Sequence, residues 1–96
     1  MNRQTLFDNE LFSLLTRIRS PRLMKEFLAD LLTQGELKEL AKRLQIVKQL
    51  DRNATHRVVA KNLRVGIATV ERGARELNDR SGGFRKILDM YYKKRK

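Results

Sequence analysis

Apolar residues recur at intervals of three and four along nearly the whole chain. The pattern breaks only at RSPR (19–22), TQGE (33–36), DRN (51–53), RVG (64–66) and DRSGG (79–83). That spacing gathers each apolar set on one face of a helix, so the chain reads as all-α with six helices. Leu6, Leu11, Phe12, Leu14, Leu15 and Ile18 form the first stripe. Ser20 then serves as an N-cap with Pro21 in the first helical position, and Leu23, Met24, Phe27, Leu28 and Leu31 line the second helix. TQGE is a capping box, in which the Thr33 hydroxyl accepts from the amide three residues on while Glu36 reaches back. Leu37, Leu40, Ala41, Leu44, Val47 and Leu50 make the third stripe. Past DRN the helices shorten, from Thr55 to about Leu63 and from Ile67 to about Leu77, with Val59, Leu63, Val65, Val70 and Leu77 as the set that packs the pair. Two short helices joined by a tight turn read as a helix-turn-helix. Phe84, Ile87, Leu88 and Tyr91 mark the last helix. The one proline and five glycines fall where they punctuate helices.

A chain of 96 residues forms one domain near the lower end of what buries a useful core alone. The first, second, third and last helices each carry a wide apolar face, and the two short helices offer little to cover them. The expectation is a homodimer, with residues 1–51 and 84–96 as the dimerisation scaffold and 55–78 as the helix-turn-helix; a compact monomer is the alternative. The absence of cysteine excludes disulfides and thiolate metal sites, and one histidine cannot supply a usual zinc set, so neither metal nor enzymatic thiol chemistry is expected. No apolar run approaches the ~18 residues of a bilayer span. Charges at Arg3, Asp8 and Glu10 argue against a leader peptide, so a cytoplasmic protein without a membrane partner is expected.

The formal charge is +11, and it is unevenly placed. Residues 1–32 hold five basic and four acidic groups, 33–65 hold eight and three, and 66–96 hold nine and four. Positive charge concentrated in the last two thirds points to a polyanion such as double-stranded DNA. The terminal KKRK reads more simply as a solubilising helix end.

The stretch GIATVERGARELN (66–78) sits where the second helix of the pair would enter a major groove and offer its first residues to base edges. Gly66 can take the turn conformation there, Ile67 and Ala68 can touch bases or thymine methyl groups, and Thr69 can reach a base edge or a phosphate. Thr55 caps the preceding helix, whose first amides, with Arg57 beside them, suit a phosphate. His56, Lys61, Arg64 and Arg75 are either phosphate contacts or solvated charge.

LTQGELKELAKRLQIVKQL, followed by a short helix and GIATVERGARELN, resembles the tryptophan operon repressor family over about residues 28–78. The family signature is matched by Gly66, Ile67, Ala68, Thr69, Arg72, Gly73 and Leu77, and upstream by Thr33, Arg43, Ile46, Val47 and Leu50. Outside this half only the helical pattern matches. The resemblance implies an intertwined helical dimer that represses transcription when an amino acid co-repressor, L-tryptophan in the best-known members, sets the angle of two reading heads. It implies that Arg43 and Arg72 sandwich the indole, with Arg72 also near the carboxylate. It further implies that Gly73 leaves room for the ring, and that the backbone from Leu31 to Thr33 of a second copy accepts from the ammonium group. Guanidinium planes suit both the ring and the carboxylate. On the DNA side it implies contacts from Thr55, His56, Arg57, Ile67, Ala68 and Thr69.

Four positions depart from the family. Glu76 replaces a serine near the ligand's amino group, where it can hold an ammonium or pair with Arg72 or Arg43 and close the pocket. Asp30 replaces an apolar residue. Glu71 replaces a threonine in the reading helix; it repels phosphate but can accept from a cytosine amino group. Arg64 replaces a glycine in a turn one residue shorter than usual. Two other readings compete with a ligand-controlled repressor: a ligand-independent DNA-binding regulator of the same family, and a small helical chorismate mutase. The short helices and the lack of suitably spaced catalytic residues speak against the enzyme. An RNA-binding or architectural protein rests on net charge alone.

Overall fold

A computed structural model describes residues 2–93. All regular structure among them is helical: α1 (Arg3–Arg17), α2 (Pro21–Leu31), α3 (Gln34–Asp51), α4 (His56–Leu63), α5 (Ile67–Asn78) and α6 (Gly83–Tyr91). Of KKRK, only Lys93 falls within the described residues. The chain divides into two compact units, 1–37 and 38–96.

In the first unit the helices start where local chemistry dictates. The Asn2 side chain caps α1 by accepting from the Thr5 amide at 2.7 Å. Ser20 Oγ accepts from the Leu23 amide at 3.1 Å, with Pro21 opening α2 as expected. The capping box forms in both directions: the Glu36 amide donates to Thr33 Oγ1 at 3.1 Å and the Thr33 amide donates to Glu36 Oε1 at 2.9 Å. These bonds hold the Glu36 carboxyl below its ordinary range. Neither α1 nor α2 contains a buried residue. Leu6, Phe7, Phe12 and Leu23 each keep more than half their surface open, so both stripes expose much of their apolar area.

The second unit holds the described residues that are fully buried: Ile46, Val47, Val59, Val70 and Leu88. Ile46, Val59 and Val70 form a cluster that Leu50, Ala54, Ala60, Leu63 and Val65 pack against. α5 packs on both α4 and α6. Two similar turns frame α4. After α3, Asn53 takes a left-handed conformation (φ 68°) and the Ala54 amide donates back to the Gln49 carbonyl at 3.1 Å. After α4, Arg64 does the same (φ 55°) and the Val65 amide donates to the Ala60 carbonyl at 3.1 Å. In both turns the next residue is apolar and folds onto the cluster, which joins the helix stop to the core. After α5, the Asp79 carboxylate accepts from the Ser81 amide and hydroxyl at 3.0 and 2.8 Å, which lowers its pKa. A Cβ at Gly82 would come within 3.1 Å of the Asp79 carbonyl oxygen, so a side chain there would press on the turn.

α6 is fastened to the end of α3 by charge. Arg85 donates to Asp51 through two nitrogens, at 2.8 and 3.1 Å, and to Asp89 at 2.6 Å. The guanidinium holds the Asp51 carboxyl below its ordinary range, and the two carboxylates raise the Arg85 pKa. Lys48 lies 4.5 Å from the centre of the Tyr92 ring, a cation–π contact beside the clamp.

Two expectations need correcting. Leu40 and Ala41, placed on the inner stripe of α3, are exposed, and Ile46 is buried instead. Gly73 does not punctuate a helix; it lies inside α5, where a Cβ would stand 2.7 Å from Ile46 Cγ2. The missing side chain lets Ile46 fill the contact between α3 and α5.

Candidate nucleic-acid interface and adjoining cleft

α4 opens with the Thr55 hydroxyl accepting from the Val58 amide at 3.2 Å, so this side chain is used as a cap. His56 and Arg57 follow as the first two residues of the helix; they and Lys61 are exposed. No acid stands in that first turn, so its amide dipoles and the cations present one sign of charge.

α5 begins differently. Its N-cap is Gly66, which has no side chain to satisfy the first amides. The expectation that Gly66 takes the special turn conformation is not met, since its backbone is extended (φ −69°, ψ 152°) and Arg64 holds the left-handed position. The reason is that α4 stops at Leu63, so the reversal falls on the next residue. A Cβ on Gly66 would meet nothing within 4 Å. Ile67 is 48% exposed, and Ala68 and Thr69 are exposed as well, so the first turn of α5 is an open surface of small and apolar groups. Beyond it, Glu71 and Arg75 are exposed while Val70 faces the core.

Beside this surface lies a cleft of about 750 Å³. Ile46, Val47 and Gly73 line it, together with Arg43 from α3, Arg72 and Glu76 from α5, and Phe84 from α6. Gly66, Ala68, Thr69 and Arg75 also line it, so the start of α5 belongs to both surfaces. Arg43 lies 3.9 Å from Glu39, a loose and exposed pair. Among the described residues Arg72, Arg75 and Glu76 form no ion pair, so Glu76 does not close the cleft onto Arg72 or Arg43. The guanidinium groups of Arg72 and Arg75 and the carboxylate of Glu76 therefore line one cleft without pairing with one another. That arrangement can receive a molecule bearing both a negative and a positive group.

Four of the five residues expected to hold a ligand, Arg43, Arg72, Gly73 and Glu76, meet in this cleft. The fifth, Thr33, belongs to the first unit, where its hydroxyl and amide serve the capping box. Asp30 is exposed there. Sequence reasoning missed Glu39, Lys42 and Phe84 as lining residues. The spacing of Glu39 one turn before Arg43 was a readable signal; Phe84 reaches the cleft only because α6 packs on α5.

No helix among the described residues is long and apolar enough to cross a membrane. Searches of curated proteins and of solved structures yield no match. The family model for the Trp repressor protein matches residues 8–91, which extends well beyond the half that carries the sequence motifs. The chain belongs to the Trp repressor family of DNA-binding regulators.

Proposed function

We propose that this protein is a sequence-specific transcriptional repressor that binds operator DNA as a homodimer under the control of an amino acid co-repressor. In this reading α4 and α5 form a helix-turn-helix, with α5 in the major groove and α4 against the phosphate backbone. His56, Arg57 and Lys61 meet phosphates, and Ile67, Ala68 and Thr69 meet base edges. The observation that carries the proposal is that Gly66, Ala68 and Thr69 stand at the exposed, uncapped start of α5 and also line the cleft holding Arg43, Arg72 and Glu76. A ligand in the cleft thus touches the helix start that would read DNA.

The exposed stripes of α1 and α2 support the dimer, because large apolar side chains left open in a chain this short call for cover. A second copy of residues 1–51 and 84–96 supplies it. The co-repressor would lie between Arg43 and Arg72, its carboxylate toward Arg72 and its ammonium toward Glu76 and the backbone of the partner subunit's Thr33.

Selection of bound sequences from random duplexes, with and without L-tryptophan, tests the whole reading. A preferred sequence bound ~10³-fold or more above random DNA is expected, with both affinities falling as salt rises. Equal affinity for RNA and unrelated duplexes would overturn it. Ligand at ~100 Kd should add about 2.7 kcal/mol of stability per site. A preferred sequence without any ligand shift would leave a ligand-independent regulator.

A further inference from the structure

On the described surface of this cationic chain, most carboxylates have an evident structural task. Glu36 and Asp79 cap turns, Asp51 and Asp89 share Arg85, and Glu26 and Glu39 lie near Arg22 and Arg43. Glu71 has none. It is the fifth residue of α5, it is exposed, and among the described residues it forms no hydrogen bond or ion pair, even with Arg75 one turn on. It does not line the cleft. The first turn of α5 contains no acid, and the favourable effect of a helix start on a carboxylate fades beyond that turn, so helix stability does not account for it. On the same flank, one turn earlier, stands Ile67, 48% exposed. Arg57, Lys61, Arg64, Arg72 and Arg75 are the cations of the same helix pair and its turn.

A carboxylate in a surface that meets a polyanion repels it unless it accepts a hydrogen bond. In the major groove the donors are the N4 amino group of cytosine and the N6 amino group of adenine. The adenine donor sits beside the N7 acceptor, which repels a carboxylate. Cytosine N4 has only the C5–H edge beside it on its own base. We infer that Glu71 is a specificity-determining residue that selects a cytosine by accepting a hydrogen bond from its N4 amino group. The inference rests on the proposed placement of α5 in the major groove.

The test is selection from random duplexes by the full chain and by Glu71→Gln and Glu71→Ala. Both variants change an exposed side chain without contacts, and equal thermal midpoints establish that they fold. The wild-type sequence should contain a fixed cytosine in each half-site, and replacing that cytosine should weaken binding about 5- to 150-fold. Glu71→Ala should lose the preference at that position, Glu71→Gln should turn it toward adenine, whose N6 and N7 an amide pairs with, and both should bind random DNA more tightly, because a repelling charge is gone. A selected sequence that both variants share unchanged, or one without a fixed cytosine, overturns the role of Glu71 and leaves the groove reading standing. Failure of the wild-type chain to select any sequence overturns both.

Discussion

Gly73→Ala tests the packing of α5 on α3 through the sign of a stability change. Replacing a mid-helix glycine by alanine ordinarily stabilises by about 0.5–1 kcal/mol. Here the added Cβ would stand 2.7 Å from Ile46 Cγ2, and Ile46 is 1% exposed. That methyl is fixed at the β-branch and cannot swing away as the end of a long side chain could, so α5 must move off α3. Overpacking of this kind costs about 1–3 kcal/mol. The balance is a loss of about 0–2.5 kcal/mol. Ile46→Ala removes the obstructing methyl at a cost of about 2–5 kcal/mol. In that background Gly73→Ala should stabilise by about 0.5–1 kcal/mol, the propensity gain alone. The coupling energy is therefore about 1–3 kcal/mol, in the range of contacting residues. Denaturant titrations of the four chains at one fixed protein concentration measure it, since association makes apparent stability concentration-dependent. A Gly73→Ala chain more stable than its parent, with no coupling to Ile46, would show that the close approach of α5 to α3 is misplaced.

Other perturbations give distinct readouts. Folding depresses the Asp51 pKa below its ordinary 3.8, through the Arg85 bonds, so the stabilisation is complete above that value and is lost as pH falls through the depressed one. Asp51→Asn should cost about 1–2 kcal/mol at pH 7 and flatten the acid limb of a stability profile below about pH 4; an unchanged limb would count against the clamp. Arg64→Gly should stabilise by about 1 kcal/mol, because an L side chain is strained at φ 55°, and a thermal melt that fails to rise would place the turn elsewhere. Arg57→Ala should weaken DNA binding and leave ligand affinity intact, whereas Arg72→Ala should abolish the ligand response and weaken operator binding; if neither changes binding in gel shifts, the reading surface is misassigned.

Much of the helical order was legible because caps are local. Ser20 with Pro21, Thr33 with Glu36, and Thr55 each act within three or four residues, and each starts a helix where the sequence places it. Asn2 caps α1 by the same local chemistry. What failed depends on partners distant in the chain. The stripe through Leu40 and Ala41 obeys helical spacing as well as Ile46 does, and only the space left by Gly73, 27 positions later, makes Ile46 the residue that turns inward. Asp51 and Arg85 are separated by 34 residues, so no periodicity joins them. Glycine in a sequence signals punctuation, yet Gly73 admits a side chain from another helix and Gly66 has an ordinary extended backbone. Arg43, Arg72, Gly73 and Glu76 came together in the cleft because motif resemblance carries tertiary information that spacing does not.

The shared residues of the cleft and the α5 start give the proposed function a thermodynamic consequence that neither surface has alone. If a ligand between Arg43 and Arg72 raises operator affinity by favouring one position of α5, operator DNA must raise ligand affinity by the same factor, because both bindings bias one equilibrium. Coupling between sites typically amounts to about 1–3 kcal/mol, a factor of roughly 5–150. In the proposed reading Gly66, Ala68 and Thr69 would carry it, since they line the cleft and are exposed at the helix start. Titrating L-tryptophan by calorimetry into the chain alone and into its operator complex measures one factor; operator titrations at zero and saturating tryptophan measure the other. The two should agree and exceed unity. Ligand binding that leaves operator affinity unchanged would separate the two surfaces and assign the cleft a role apart from the reading of DNA.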